Sequence, residues 1–290
     1  MDILISAIVV GTITGLLYAL AGAGLVVIFR TSGYISFAQG DIAAVALYFG
    51  YWIYQLGAPY PVVAVAVVLA GAVLGGLIGT FLVVPMERFG LLTAALTTIA
   101  VGTTIQGIEN VTVGATARAF PSFGDNVVFN IGPVGLTAQN TLAMVCSVAI
   151  FALLGLVFNK WRAGIAMRAL SDSPEAAELL GVPTVLLRRL SWAIAGGLAG
   201  VAGLFVAPLF ALTPSSVNSL LIFSFCAVVV GGFESIFGAM IAGVIVGIAS
   251  NLTAAYLNPS LVPTVIFIIL ISVLLVRPAG LFGRRRIIRV

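Results

Sequence analysis

The sequence predicts an all-α, polytopic membrane protein with eight to ten transmembrane helices. Three observations lead there. Of its 290 residues, 61% are apolar and 8% charged, with a mean hydropathy of +1.24. A soluble domain carries about 25% charged residues, so this chain has too little charge to solvate an ordinary surface. The apolar residues fall in runs near the roughly 20 that a helix needs to cross a bilayer. The charge is also gathered in one place: residues 160–189 hold eight of the 22 Asp, Glu, Lys and Arg residues. At that span length no soluble domain fits, and residues 1–290 are read as one transmembrane domain with an extramembrane loop at 160–189.

In chain order, residues 3–29 form the first span, thinned for close packing by Gly11, Gly15, Gly22 and Gly24 and ended by Arg30. Residues 31–41 are too polar for a lipid-facing helix. Ser36, Gln39 and Asp41 fall together there, with Gly33 and Gly40 as breaks. Two readings stand: a cap at the membrane surface, or an interrupted helix lining a pathway. An acid at that depth must face protein or water, and irregular backbone inside a membrane is tolerated only in such places. Residues 42–52 follow as a span, Pro59 and Pro61 mark a turn, and 62–84 form the third span with Gly71, Gly75, Gly76 and Gly79 at contact spacing. After the polar turn of Glu87 and Arg88, the fourth span covers 91–107. Thr97 and Gln106 on it are candidate pathway residues, although threonines also bond to their own helix.

Residues 109–138 are read as a non-membrane loop in which the alternation at 127–131 allows a small hairpin. The fifth span is 140–158, the sixth 191–212, and the seventh begins at 220 with Ser224 on it. Residues 231–238 break it at Glu234, and both residues join the pathway candidates. The last spans are 239–256 and 263–276, before an arginine-rich tail. The breaks at 31–41 and 231–238 are read either as re-entrant or as full crossings.

Within the 160–189 loop, residues 173–183 predict a short helix marked at both ends. Ser173 suits the N-cap and Pro174 the first helical position, where its missing N–H is no loss. Glu175 and Glu178 place negative charge toward the N-terminus. Gly181 suits the left-handed residue after the last turn, and Pro183 stops continuation. A helix of two turns is not stable alone in water, so it docks either on its own protein or on a partner.

Glu175-Ala176-Ala177, three residues and Gly181 resemble the EAA---G motif of ABC importer permeases. The segments 164–169, with Arg168, and 171–174, with Asp172, resemble the branched-chain amino acid branch of that family. So do residues 30–41, 231–239 and 277–283, in the same order. Gln39 stands where that branch has His, and the hydrophobic-x-Leu-Pro ending of the wider motif does not follow Gly181. The resemblance, to the shorter permease subunit, implies the ABC permease fold of the branched-chain amino acid and ribose type. It implies a cytoplasmic coupling helix carried by Arg168, Asp172, Pro174, Glu175, Ala176, Ala177 and Gly181. It further implies two ATP-binding subunits that hold ATP and Mg, a second permease, identical or related, and an extracytoplasmic substrate-binding protein. Relatives import leucine, isoleucine and valine; urea, amides and small carboxylates are the alternative solutes.

With the 160–189 loop in the cytoplasm, nine crossings place the N-terminus and residues 109–138 outside and the C-terminus inside. Twelve of the 13 Lys and Arg residues are then inside, and Arg118 is outside, as the positive-inside rule requires. The expected location is a bacterial inner membrane. The formal charge of +4 suits anionic lipid headgroups better than nucleic acid. No His is present, which excludes a Ser-His-Asp or Cys-His catalytic set and His-based metal sites; no G-x-x-x-x-G-K-[ST] loop is present either. No catalytic or metal-binding residue and no cofactor is expected in this chain. Met1-Asp2 gives no basic leader, so no cleaved signal is expected. Cys146 and Cys226 lie in apolar runs and are read as packing residues. An ion-coupled carrier is the competing reading, with Asp41 and Glu234 as its ionisable groups.

Overall fold

The computed structural model describes residues 2–283 apart from 115, 125, 132–133, 210–211 and 214–215. The arginines of the tail beyond residue 283 lie outside the described residues. The helices are α1 (Asp2–Ser32), α2 (Gln39–Gln55), α3 (Tyr60–Ile78), α4 (Leu91–Thr112), α5 (Ala138–Lys160), α6 (Arg162–Asp172), α7 (Pro174–Leu179), α8 (Thr184–Val206), α9 (Ser216–Gly231), α10 (Ile236–Tyr256) and α11 (Val262–Val276). A π-helical turn, Gly79–Val83, and a 3-10 turn, Val84–Phe89, prolong α3. The hairpin expected near 127–131 is present as antiparallel β1 (Val127–Ile131) and β2 (Val134–Thr137).

Among the described residues seven helical segments are long and apolar enough to cross a membrane, one fewer than the lower bound expected from the sequence. The physical reason lies at the two breaks. Gly33 and Gly232 have φ of +76° and +97°, which ends α1 and α9. The neighbouring α2 and α9 are left with 17 and 16 residues, about 25 Å of helix against a hydrocarbon core of about 30 Å.

The helices pack as two copies of one arrangement. Exchanging α1–α4 for α8–α11 in order maps the packing onto itself. α1 lies on α10 as α8 lies on α3; α1 meets α9 as α8 meets α2; α2 touches α3 and α4 as α9 touches α10 and α11. The copies are inverted. Trp192, near the start of α8, meets Tyr34 just past the end of α1, while Ala195 lies beside Gly24, further back along α1. Inverted repeats of this kind are common in transporters.

Both major crossings are glycine contacts. Gly11 and Gly15 of α1 meet Gly247 and Gly243 of α10; Gly71 and Gly75 of α3 meet Gly200 and Gly196 of α8. A Cβ on Gly15 would stand 2.5 Å from the Gly243 carbonyl oxygen, and one on Gly75 2.5 Å from that of Trp192. Small residues at four-residue spacing let helix backbones touch where lipid supplies no hydrophobic drive.

Candidate functional site

Two regions collect the candidate residues. The first is an extramembrane corner at one end of the bundle. Trp161 turns the chain out of α5, and α6 lays Met167 and Leu170 on the core. Arg168 donates to the Phe158 carbonyl and, at 2.8 Å, to Asn159 Oδ1, fastening α6 to the end of α5. Asp172 closes α6, and its side chain lies outside the described residues.

Ser173 then caps α7: its Oγ accepts from the Ala176 N–H at 3.3 Å, with Pro174 in the first turn. At the other end the Val182 N–H donates to the Ala177 carbonyl at 3.0 Å and the Gly181 N–H to that of Glu178 at 2.9 Å. Gly181 has φ +77°. This is a Schellman closure, and its apolar pair is Ala177 with Val182, both on the main core. Ala177, 3% exposed, therefore faces its own protein and not outward. Of the two alanines of the motif, Ala176 alone is open to a partner. Ala176 and Glu175 are exposed, and the outward apolar groups are Leu179 and Leu180, 89% and 83% exposed. No motif marked these two leucines, because nothing in the sequence says which side of so short a helix docks.

This corner is tied to the broken helix. Arg188 pairs with Glu87 at 2.6 Å, Tyr34 Oη donates to Glu87 Oε1 at 2.9 Å, and Trp192 Nε1 donates to Tyr34 Oη at 3.2 Å. Arg30 donates to the Glu234 backbone carbonyl and lies over the Phe158 ring at 5.2 Å. Arg30, Glu87, Arg188 and Glu234 thus share one end of the bundle. Arg118 is at the other, its backbone paired with Leu212 and its guanidinium 5.6 Å from the Tyr51 ring.

The second region is the break between α1 and α2. The chain turns back into the bundle, so that the Phe37 N–H donates to Thr98 Oγ1 at 3.0 Å. Thr98 is seven residues inside α4, so the turn lies below the surface. Ser36, Gln39 and Asp41 are all buried. The Gln39 amide donates to the Ala195 carbonyl and fits where Gly24 leaves room. Asp41 lies against Gly102 of α4, where a Cβ would stand 2.5 Å from its Oδ2. Its place in the first turn of α2 lets the helix dipole favour its charge. Residues 33–38 thus interrupt the helical run between α1 and α2 inside the bundle.

Thr97 lines a cleft of about 560 Å³ between α2, α3 and α4. Gln106 is half-buried and its carbonyl accepts from Asn110 at 2.9 Å. Ser224 is buried on α9 with its hydroxyl on the Leu220 carbonyl. Glu234 is half-buried at the charged end. The break thus buries its three polar residues but spreads them over different walls, Asp41 against α4 and Gln39 against α1 and α8, with Glu234 apart from them at the charged end. The sequence reading also missed Glu109. It ended the fourth span at 107, whereas α4 runs to Thr112 and buries Glu109 to 4% exposure in the same cleft.

Comparisons with known proteins agree with this architecture. The family model described as "Branched-chain amino acid transport system / permease component" matches residues 7–274. The chain is 30% identical over 294 residues to the high-affinity branched-chain amino acid transport system permease protein LivH of Escherichia coli K12, covering 97% of this chain and 96% of that one. It is 29% identical over 286 residues to the probable branched-chain amino acid transport permease protein LivH of Methanocaldococcus jannaschii, covering 92% and 89%. It is also 26% identical over 247 residues to the fructose import permease protein FrcC of Rhizobium meliloti, covering 80% and 66%.

Proposed function

The chain belongs to the branched-chain amino acid transport permease family, a multi-pass membrane protein, and from that premise we propose that it is the membrane subunit of an ATP-driven importer of branched-chain amino acids. In this reading α6 and α7 are its coupling segment, presented in the cytoplasm to two ATP-binding subunits. Those subunits bind ATP and Mg and hydrolyse the nucleotide. A second permease, identical or related, completes the pathway, and an extracytoplasmic binding protein delivers the solute. The N-terminus is outside and the C-terminus inside, in a bacterial inner membrane.

The observation that carries the proposal is α7 itself. It is capped at both ends and anchored by Ala177, yet it turns Leu179 and Leu180 to solvent. An isolated helix of six residues has no stability to spend on exposed leucines, so a partner that covers them gives the arrangement a purpose. Arg168 holds the base of the segment. The Arg188–Glu87–Tyr34 chain then supplies a contiguous route from it to the break before α2, and packed, bonded elements of this kind can carry rigid-body motion.

Purification from native membranes in mild detergent, with mass spectrometry of what accompanies the chain, tests the proposal. Two ATPase copies per two permeases are expected, and Leu179→Ser with Leu180→Ser should remove them. A chain that purifies alone and homogeneous refutes the importer. Ion-driven transport then becomes the reading to test, because buried Asp41 and Glu109 are the groups such a carrier would use. Urea, amides and small carboxylates remain the alternative solutes, and uptake assays on the intact complex separate them.

A further inference from the structure

α4 carries a carboxylate that packing does not explain. Glu109 is 4% exposed, and neither of its oxygens has a hydrogen-bond partner among the described residues. It lies on the face of α4 that also carries Thr98 and Gly102, seven residues beyond Gly102 and so about 10 Å further along the axis. The helix that replaces α4 in the inverted repeat, α11, has no charged residue at all.

Glu109 lines the 560 Å³ cleft, whose walls are otherwise aliphatic: Ile42 and Val45 from α2, Leu74 and Ile78 from α3, Ile105 from α4. The remaining polar groups, Thr97 and Thr104, give their hydroxyl protons to the Thr93 and Ala100 carbonyls at 2.8 and 2.7 Å. Glu109 is thus the one charged group among the residues lining the cleft. A volume of several hundred Å³ with apolar walls and few polar groups is the usual form of a small-ligand site. A buried charge without a partner is unfavourable until a counter-charge joins it.

We propose that this cleft takes the aliphatic side chain of the transported amino acid while Glu109 accepts hydrogen bonds from its ammonium group. The chemical class is an ammonium ion carried on a branched aliphatic body. An anionic solute is repelled by the same carboxylate, and a bare cation leaves the aliphatic walls uncovered. The lining residues hold no cation, so the α-carboxylate of an amino acid points out of the cleft. The inference rests on the amino acid reading above and deepens it, narrowing the solute against small carboxylates.

The test is calorimetric titration of the full chain in lipid nanodiscs with isopentylamine, L-leucine, 4-methylpentanoate and methylamine. Isopentylamine and leucine should bind; 4-methylpentanoate and methylamine should bind at least tenfold more weakly. Glu109→Gln should weaken both of the first two by tenfold or more while leaving thermal unfolding at or above wild type, since it replaces a buried acid whose oxygens have no hydrogen-bond partner among the described residues. Thr104→Trp fills the cleft without touching the charge and should abolish binding of both, which keeps the test intact if Glu109→Gln does not fold. Unchanged binding in either variant, equal binding of 4-methylpentanoate or of methylamine, or no binding by the wild type overturns the proposal. None of these results bears on whether ATPase subunits accompany the chain, so failure here is distinct from failure of the importer reading.

Discussion

Gly181 has φ +77° and open space where a side chain would go, so a substitution there meets backbone strain and not a clash. Gly181→Val should cost about 1–2 kcal/mol locally, because a β-branched residue disfavours the left-handed region. The spans do not depend on that turn, so the protein should insert and unfold as wild type does. Substrate-stimulated ATP hydrolysis by the assembled transporter should fall, because the end of α7 is no longer held; wild-type coupling in the variant would remove α7 from the mechanism. Ser173, Pro174 and Gly181 were legible in the sequence because caps follow local rules that act within a few residues. Glu109 was not. Ile108-Glu109-Asn110 looks like the start of a loop, whereas α4 runs on past it and, of that last turn, packs Glu109 alone against the bundle while Ile108 and Val111 stay exposed. A tertiary contact decided that residue, and no local pattern encodes it.

Helix crossings obey the spacing of their glycines. Gly11 and Gly15, Gly71 and Gly75 were visible as packing sites, but which helix meets which was not, because glycines at that spacing mark a contact without naming its partner. Gly196→Leu should destabilise by about 3 kcal/mol or fail to fold, since its Cβ would enter the Gly71 carbonyl and the α3–α8 crossing cannot open without moving the repeat. Gly107→Leu, where nothing lies within 4 Å, should be near neutral, and the SDS-unfolding midpoint compares the two. The link between Arg188 and Glu87 belongs to the same scale, because it ties α8 to the end of the α3 segment. Side-chain exposures of 22% and 6% make it a partly buried pair. Arg188→Ala leaves Glu87 without its cation and should cost about 2 kcal/mol, below the 3–5 kcal/mol of a fully buried pair. Arg188→Gln with Glu87→Gln should recover part of that loss, and a double-mutant cycle measures the coupling. An additive result would mean that the pair does not join the two elements.

The inverted repeat and the charge distribution make one statement about the whole molecule. If α1 and α8 begin at opposite ends, the chain between them crosses an odd number of times, which requires the short α2 to traverse as well as the long helices. The sequence showed the charge asymmetry but not the repeat, since helices related by inversion share packing sites more than residues. α4 and α11 show this: one carries Thr, Gln, Asn and Glu, the other Thr264 and Ser272 as its polar residues. Sidedness is then tested by two cysteines placed at opposite ends in a Cys146→Ser, Cys226→Ser background. Val128→Cys sits on the exposed hairpin strand and Leu179→Cys at the end of α7. With a membrane-impermeant maleimide, Val128→Cys should react in intact cells and Leu179→Cys in inverted vesicles alone. The reverse pattern would put α7 outside and exclude a cytoplasmic ATPase as its partner. Labelling of both from one side would mean that α5, the one long apolar helix between them, does not cross the membrane.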